Sequence, residues 1–113
     1  MQPEIQKYLY DICQACETLL DFIRDKSLQD YDAELLLRSG VERQLMIIGE
    51  ALNQAYKLDP ALSGSVSNIR EIINLRNVIV HGYAIVENET IWGIIEDDLP
   101  QVYKEVQMLL QRE

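Results

Sequence analysis

Residues 67–83 read SNIREIINLRNVIVHGY, and the fold turns on whether this stretch is one helix or ends in a strand. Ile69, Ile72, Ile73 and Leu75 fall at three- and four-residue steps, the spacing of one helical face. Val78-Ile79-Val80 is β-branched and is the only run in the chain that reads as a strand. A single strand has nothing to pair with. The spacing therefore predicts a helix through Val80, with Ser67 as its N-cap and Gly82 as a left-handed terminator. The remainder fits an all-α antiparallel bundle of four to five helices.

Working outward, residues 4–25 place Ile5, Tyr8, Leu9, Ile12, Cys16, Leu19, Leu20 and Ile23 on one helical stripe. Pro3 sits in the first turn, where proline is tolerated. A second helix is expected from a cap at Asp30 or Asp32 to about Lys57, ending before Asp59-Pro60. Gly40 and Gly49 lie inside it at about 1 kcal/mol each relative to alanine, which suggests close helix packing at those points. Residues 60–67, PALSGSVS, read as a loop. A fourth helix over IWGIIEDDL starts at Asn88 or Thr90, and Pro100 permits a new first turn for a fifth.

Composition narrows the function classes. The chain has 113 residues, 48% of them apolar and 26% charged, with 5 Gly, 3 Pro and 2 Cys. That suits one globular domain over 1–113 and excludes a disordered or collagenous chain. No apolar run approaches the ~18–20 residues that cross a bilayer. The polar N-terminus lacks the unbroken apolar core of a signal peptide. With few cysteines, the expectation is a reduced, cytoplasmic protein. Ten Lys+Arg against 19 Asp+Glu give a formal charge of −9, which argues against gripping nucleic acid by bulk electrostatics but leaves room for a local cationic site. Glu87, Glu89, Glu96, Asp97 and Asp98 form a stretch free of cations, read here as a solvated surface. Residues 67–83 hold Arg70, Arg76 and the single histidine, His81, against Glu71 alone.

Arg76-Asn77-Val78-Ile79-Val80-His81 is the run with chemical content. Arg76 and His81 are about 140° apart on a helix, whereas Asn77 and His81 share a face. Both Arg76 and His81 can still border one groove if the helix ends at His81. Arginine offers an always-charged fork to phosphoryl oxygens. Imidazole can both take and give a proton. Those parts suit metal-free RNA cleavage, in which a base takes the 2′-hydroxyl proton and that oxygen attacks phosphorus. One histidine per copy means that a two-histidine acid–base pair needs a homodimer. By spacing alone, a surface salt bridge explains Arg76 equally well.

RNVIVHGY (76–83) resembles the R-x4-H-x-Y signature of the HEPN superfamily, and more narrowly the HepT-like toxins encoded beside minimal nucleotidyltransferases. VERQLMIIGEAL (41–52) is similar to that family's second-helix pattern, an Arg followed by an Ile-Gly-Glu-Ala run. IWGIIEDDLPQVYKEV (91–106) is similar to its C-terminal pattern. Where many relatives carry a Pro-Trp pair before the third helix, this chain has SVSNIREI. The resemblance implies a helical bundle that dimerises around the motif. It implies a metal-independent endoribonuclease toxin of a toxin–antitoxin pair, needing no cofactor, with site residues Arg76, His81 and Asn77. It also implies that Tyr83 is the tyrosine to which a partner nucleotidyltransferase, the antitoxin, transfers AMP.

Arg43 and Glu50 are seven residues apart, on nearly the same face. Glu50 reads either as a support that positions Arg76 or the dimer partner, or as a partly exposed intrahelical charge. Cys13 and Cys16 form a C-x-x-C with no second pair of ligands, so no metal site is expected and core filling is the reading. Tyr8, Tyr10, Tyr31, Tyr56 and Tyr103 read as packing or interface residues. The net acidity leaves a rival function, a non-catalytic module that docks a nucleotidyltransferase and presents nucleotide or Tyr83 to it.

Overall fold

The computed structural model describes residues 1–81 and 87–112. The predicted terminator Gly82 and the motif tyrosine Tyr83 lie outside the described residues. Helix α1 runs Pro3–Phe22 and buries Ile5, Leu9, Ile12, Cys13, Ala15, Cys16 and Leu19. Pro3 and Glu4 occupy the first turn, where a missing N–H costs nothing and a negative charge meets the helix's positive end. The chain leaves α1 at Ile23 and turns through Asp25 at φ 61°, a left-handed conformation that Asp tolerates better than most residues.

The expected long second helix is two helices. Helix α2 is Leu28–Ala33 and α3 is Leu35–Leu58. Ser27 caps α2 in place of Asp30 or Asp32: its Oγ accepts from the Asp30 N–H at 3.2 Å, and the Asp30 carboxylate accepts from the Ser27 N–H at 2.9 Å. These bonds to Ser27 hold the Asp30 carboxyl below the usual carboxylate range. Glu34 is extended at φ −109°, ψ 100°, and Arg38 reaches back from α3 to donate to the Tyr31 and Asp32 carbonyls that the break leaves open. Helix α3 stops at Asp59 as expected, and Asp59 caps the 3₁₀ turn Pro60–Gly64 that replaces the predicted loop.

Helix α4 is Ile69–His81, so Val78–Val80 are helical. Ser67 is not its cap. The Ser67 N–H and hydroxyl both donate to the Glu105 carboxylate, each at 2.9 Å, which ties the start of α4 to a residue 38 positions later. Asn68, at φ 60°, makes the turn into α4. Helix α5 is Asn88–Gly93 and α6 is Leu99–Gln111. A π-turn over Ile94–Asp98 joins them, with the Leu99 N–H donating to the Ile94 carbonyl. Pro100 explains the wider turn: its ring has no N–H and crowds the carbonyl four residues back. The predicted fifth helix is α6, with Pro100 in its first turn as expected, and the predicted fourth is α5 continued by the π-turn.

Helix α1 packs along α3 and α6, and α4 packs on α3. Tyr31 of α2 is fully buried against Trp92 of α5, ring centroids 5.5 Å apart, and burial pushes its hydroxyl up to about 12. Cys13 and Cys16 fill the core, and burial lifts the Cys16 thiol to about 12. Among the described residues there is no strand, and no helix is long and apolar enough to cross a membrane.

The two interior glycines of α3 mark close contacts. A Cβ at Gly40 would sit 3.1 Å from the Phe22 ring. A Cβ at Gly49 would run into Arg76 Cβ, 2.9 Å from Arg76 Cγ and 3.2 Å from the Ile72 carbonyl oxygen. Only a glycine lets α4 lie this close. Gly93, by contrast, faces nothing within 4 Å. In urea unfolding, Gly49→Ala is expected to lower stability by about 1–3 kcal/mol through overpacking. Gly93→Ala should raise it by up to about 1 kcal/mol, the ordinary helix preference for alanine. Equal behaviour of the two variants would contradict the close approach.

Candidate active site

A cleft of about 340 Å³ opens between α1, α3 and α4. Helix α3 contributes Arg43, Met46, Ile47, Glu50 and Ala51 to its walls. Positions 43, 46, 47 and 50 recur at three- and four-residue steps, so the helical period alone sets them side by side. Tyr8 and Asp11 enter from α1, and Arg76 and Val80 from α4. The floor is apolar and the rim carries charge of both signs.

The Arg76 stem crosses α3 at Gly49, and its guanidinium meets Glu50 on the next residue of α3. The Arg76 Nη2–Glu50 Oε2 distance is 2.6 Å, a short charge-assisted contact. Gln54, one turn along α3, donates to the other Glu50 oxygen at 2.9 Å. Arg76 Nη1 donates to Asn77 Oδ1 at 2.8 Å. Two acceptors on different helices therefore fix the plane of the fork. Nε is buried without a partner among the described residues. The Arg76 side chain is 23% exposed and Glu50 43%, so the pair lies at the water boundary. There it contributes modestly to stability and mainly sets geometry. A guanidinium has five N–H donors, and the Nη hydrogens left over from Glu50 and Asn77 can take an anion.

Arg43 adds a second cation to the cleft and has no carboxylate partner among the described residues. Asp11 is drawn away by Lys7 at 3.1 Å, and Glu50 is matched by Arg76. The cleft lining is therefore balanced in charge, two cations against two carboxylates, with Arg43 left without a carboxylate partner among the described residues, in a chain whose total is −9.

Four of the predicted site residues converge: Arg43, Glu50, Arg76 and Asn77. The supporting reading of Glu50 has its geometric basis in the contact with Arg76. His81 closes α4 and is exposed. It does not line the cleft itself, but shares a helix face with Asn77, whose amide oxygen is bonded to Arg76. Tyr83 lies outside the described residues. Sequence reasoning missed Tyr8 and Asp11 as cleft residues and Gln54 as the second partner of Glu50. The i to i+4 spacing of Glu50 and Gln54 was the available signal. Among the described residues, no three His, Cys, Asp or Glu side chains gather as metal ligands.

Known proteins resemble the chain along most of its length. "Putative RNase MJ1380" of Methanocaldococcus jannaschii is 27% identical over 108 residues, covering 94% of this chain and 96% of that one. "Putative RNase TTE0752" of Caldanaerobacter subterraneus subsp. tengcongensis is 32% identical over 106 residues, 94% of each. "Probable ribonuclease HepT" of Thermococcus cleftensis is 28% identical over 106 residues, 90% of this chain and 92% of that one. Solved structures give no significant match. The family profile described as ribonuclease HepT-like spans residues 12–109, from the middle of α1 to the end of α6. The chain belongs to the ribonuclease HepT-like family.

Proposed function

We propose that this chain is a metal-independent endoribonuclease that works as a homodimer, and that it is the toxin of a toxin–antitoxin pair. The observation that carries the reading is the Arg76 guanidinium, held at a cleft mouth by Glu50 and Asn77 on the helix that ends in His81. Membership of a family whose relatives are named as RNases supports it.

The chemistry follows from the side chains. His81 takes the proton of a ribose 2′-hydroxyl. The freed oxygen forms a bond to the adjacent phosphorus while the bond to the 5′-oxygen breaks. His81 of the partner subunit returns a proton to that leaving oxygen. Negative charge grows on the non-bridging oxygens, and Arg76, already oriented, meets it without reorganising. Asn77 links the arginine to the histidine face, and Arg43 adds positive charge where the strand enters. The products are a 2′,3′-cyclic phosphate and a free 5′-hydroxyl.

Control of the enzyme rests on Tyr83, two residues after His81. AMP transfer to its hydroxyl by a partner nucleotidyltransferase places a phosphate and a bulky nucleoside beside the site. The phosphate competes for the same guanidinium, and the nucleoside obstructs the strand.

Purified protein incubated with total RNA and tRNA in EDTA should cleave RNA, and His81→Ala and Arg76→Ala should each be slower by about 100-fold or more. Absence of cleavage by the wild-type chain would overturn the catalytic reading in favour of a module that only docks a nucleotidyltransferase. Mass spectrometry of protein produced together with its neighbouring nucleotidyltransferase tests the regulation. Mass gains in steps of one AMP are expected, and they should vanish in Tyr83→Phe. Steps that persist in that variant would remove Tyr83 from the scheme.

A further inference from the structure

The second groove between α3 and α4 lies away from the Arg76 cleft. It encloses about 210 Å³ and is lined by Asn53, Tyr56, Ile69, Arg70, Ile73 and Asn74. Its composition differs from the rest of the surface. The chain has 19 acidic residues, yet none of them lines this groove. The groove offers two amides, a phenol and a guanidinium above an isoleucine floor. Arg70 is exposed and has no carboxylate partner among the described residues.

The groove also connects to the site already described. On α4, Arg70, Asn74, Asn77 and His81 fall within an arc of about 60° at 100° per residue. Arg70 and Asn77 are about 10 Å apart along the helix axis. The one acid of α4, Glu71, is about 100° round from Arg70. At the α5–α6 junction burial raises the Asp98 carboxyl, and the charges of Asp97 and then Glu71 add to it. Arg70, Asn74, Asn77 and His81 thus line one side of α4, from the groove towards the end of the helix, with Glu71 at its border.

We propose that this groove is a subsite for a nucleotide flanking the cleaved bond, with Arg70 on its phosphate, Tyr56 and Ile73 against its base, and Asn53 and Asn74 on its polar edges. The proposal rests on the ribonuclease reading above and adds where the strand lies. Base contact with a tyrosine ring requires an unpaired nucleotide, so the substrate is single-stranded RNA at this position. In a protein whose net charge repels polyanions, a groove lined by no acid also supplies the local attraction that the total charge denies.

The test is anisotropy of a labelled 2′-O-methyl single-stranded oligoribonucleotide of about twelve nucleotides, which binds but has no free 2′-hydroxyl to react. It is titrated with full-length protein over a range of salt concentrations, and cleavage of ordinary RNA is measured on the same preparations. Arg70→Ala is expected to weaken binding about tenfold and to reduce the slope of log affinity against log salt by about one. Asn74→Ala should weaken binding by about threefold without changing that slope. Lys104→Ala removes the same charge from α6, which packs on α1, and is expected to leave the salt slope as in wild type. Both α4 positions are exposed, and unfolding midpoints confirm that the variants fold. If the wild type cleaves RNA and Arg70→Ala binds with unchanged affinity and slope, the subsite is overturned and the ribonuclease reading stands. If the wild type neither binds nor cleaves RNA, both fall.

Discussion

The contact of the Arg76 stem with Gly49 is the constraint on which the site depends. A side chain at position 49 would collide with Arg76 and with the Ile72 carbonyl, so α4 could not lie at its present distance from α3. That distance puts the guanidinium beside the carboxylate of the very next residue, Glu50, at 2.6 Å. Packing and electrostatics are therefore coupled through two adjacent residues of α3. A helix interior ordinarily avoids glycine. Here the conformational cost is offset by a close approach that no larger residue permits.

The same pair resolves a difficulty of charge. A protein at −9 repels RNA as it approaches to within about a Debye length, beyond which salt screens the charge. Attraction must then be local and short-ranged. Pairing Glu50 with Arg76 and Asp11 with Lys7 occupies the two carboxylates of the cleft and leaves Arg43 without a carboxylate partner among the described residues. Glu96, Asp97 and Asp98 lie in the π-turn between α5 and α6, where burial, then the charges of Asp97 and Glu71, raise the Asp98 carboxyl. On α4 itself the one acid, Glu71, lies about 100° round from Arg70.

Much of this was legible from residue spacing. The apolar stripes located α1, α3 and α4, Asp59-Pro60 fixed the end of α3, and the β-branched run at 78–80 was correctly resolved as helix for want of a partner strand. Gly49 was readable as a packing point, but its partner was not, because Arg76 is 27 residues away and spacing carries no tertiary information. The errors have a common origin. Ser27 outcompetes Asp30 as a cap because Asp30 serves better as the reciprocal partner in the same box. Ser67 is diverted by Glu105, a contact no local rule contains. Pro100 sits in the first turn of α6 as expected, and what spacing did not show is the π-turn just before it, over Ile94–Asp98. The pairing of Arg43 and Glu50 on one face was visible in the sequence, whereas the groove around Arg70 emerges only once α3 and α4 are set side by side.

The most direct measurement is the steady-state ribonuclease activity of Arg76→Lys. Lysine keeps the charge and most of the stem that covers Gly49, but it lacks the planar fork that reaches Glu50, Asn77 and a phosphoryl group at once. The expected result is a fall in kcat/KM of about 100-fold or more with an unfolding midpoint close to that of the wild type. A lysine variant that retains wild-type kcat/KM would contradict it, because a bare positive charge would then suffice and the geometry set by Gly49, Glu50 and Asn77 would have no part in catalysis.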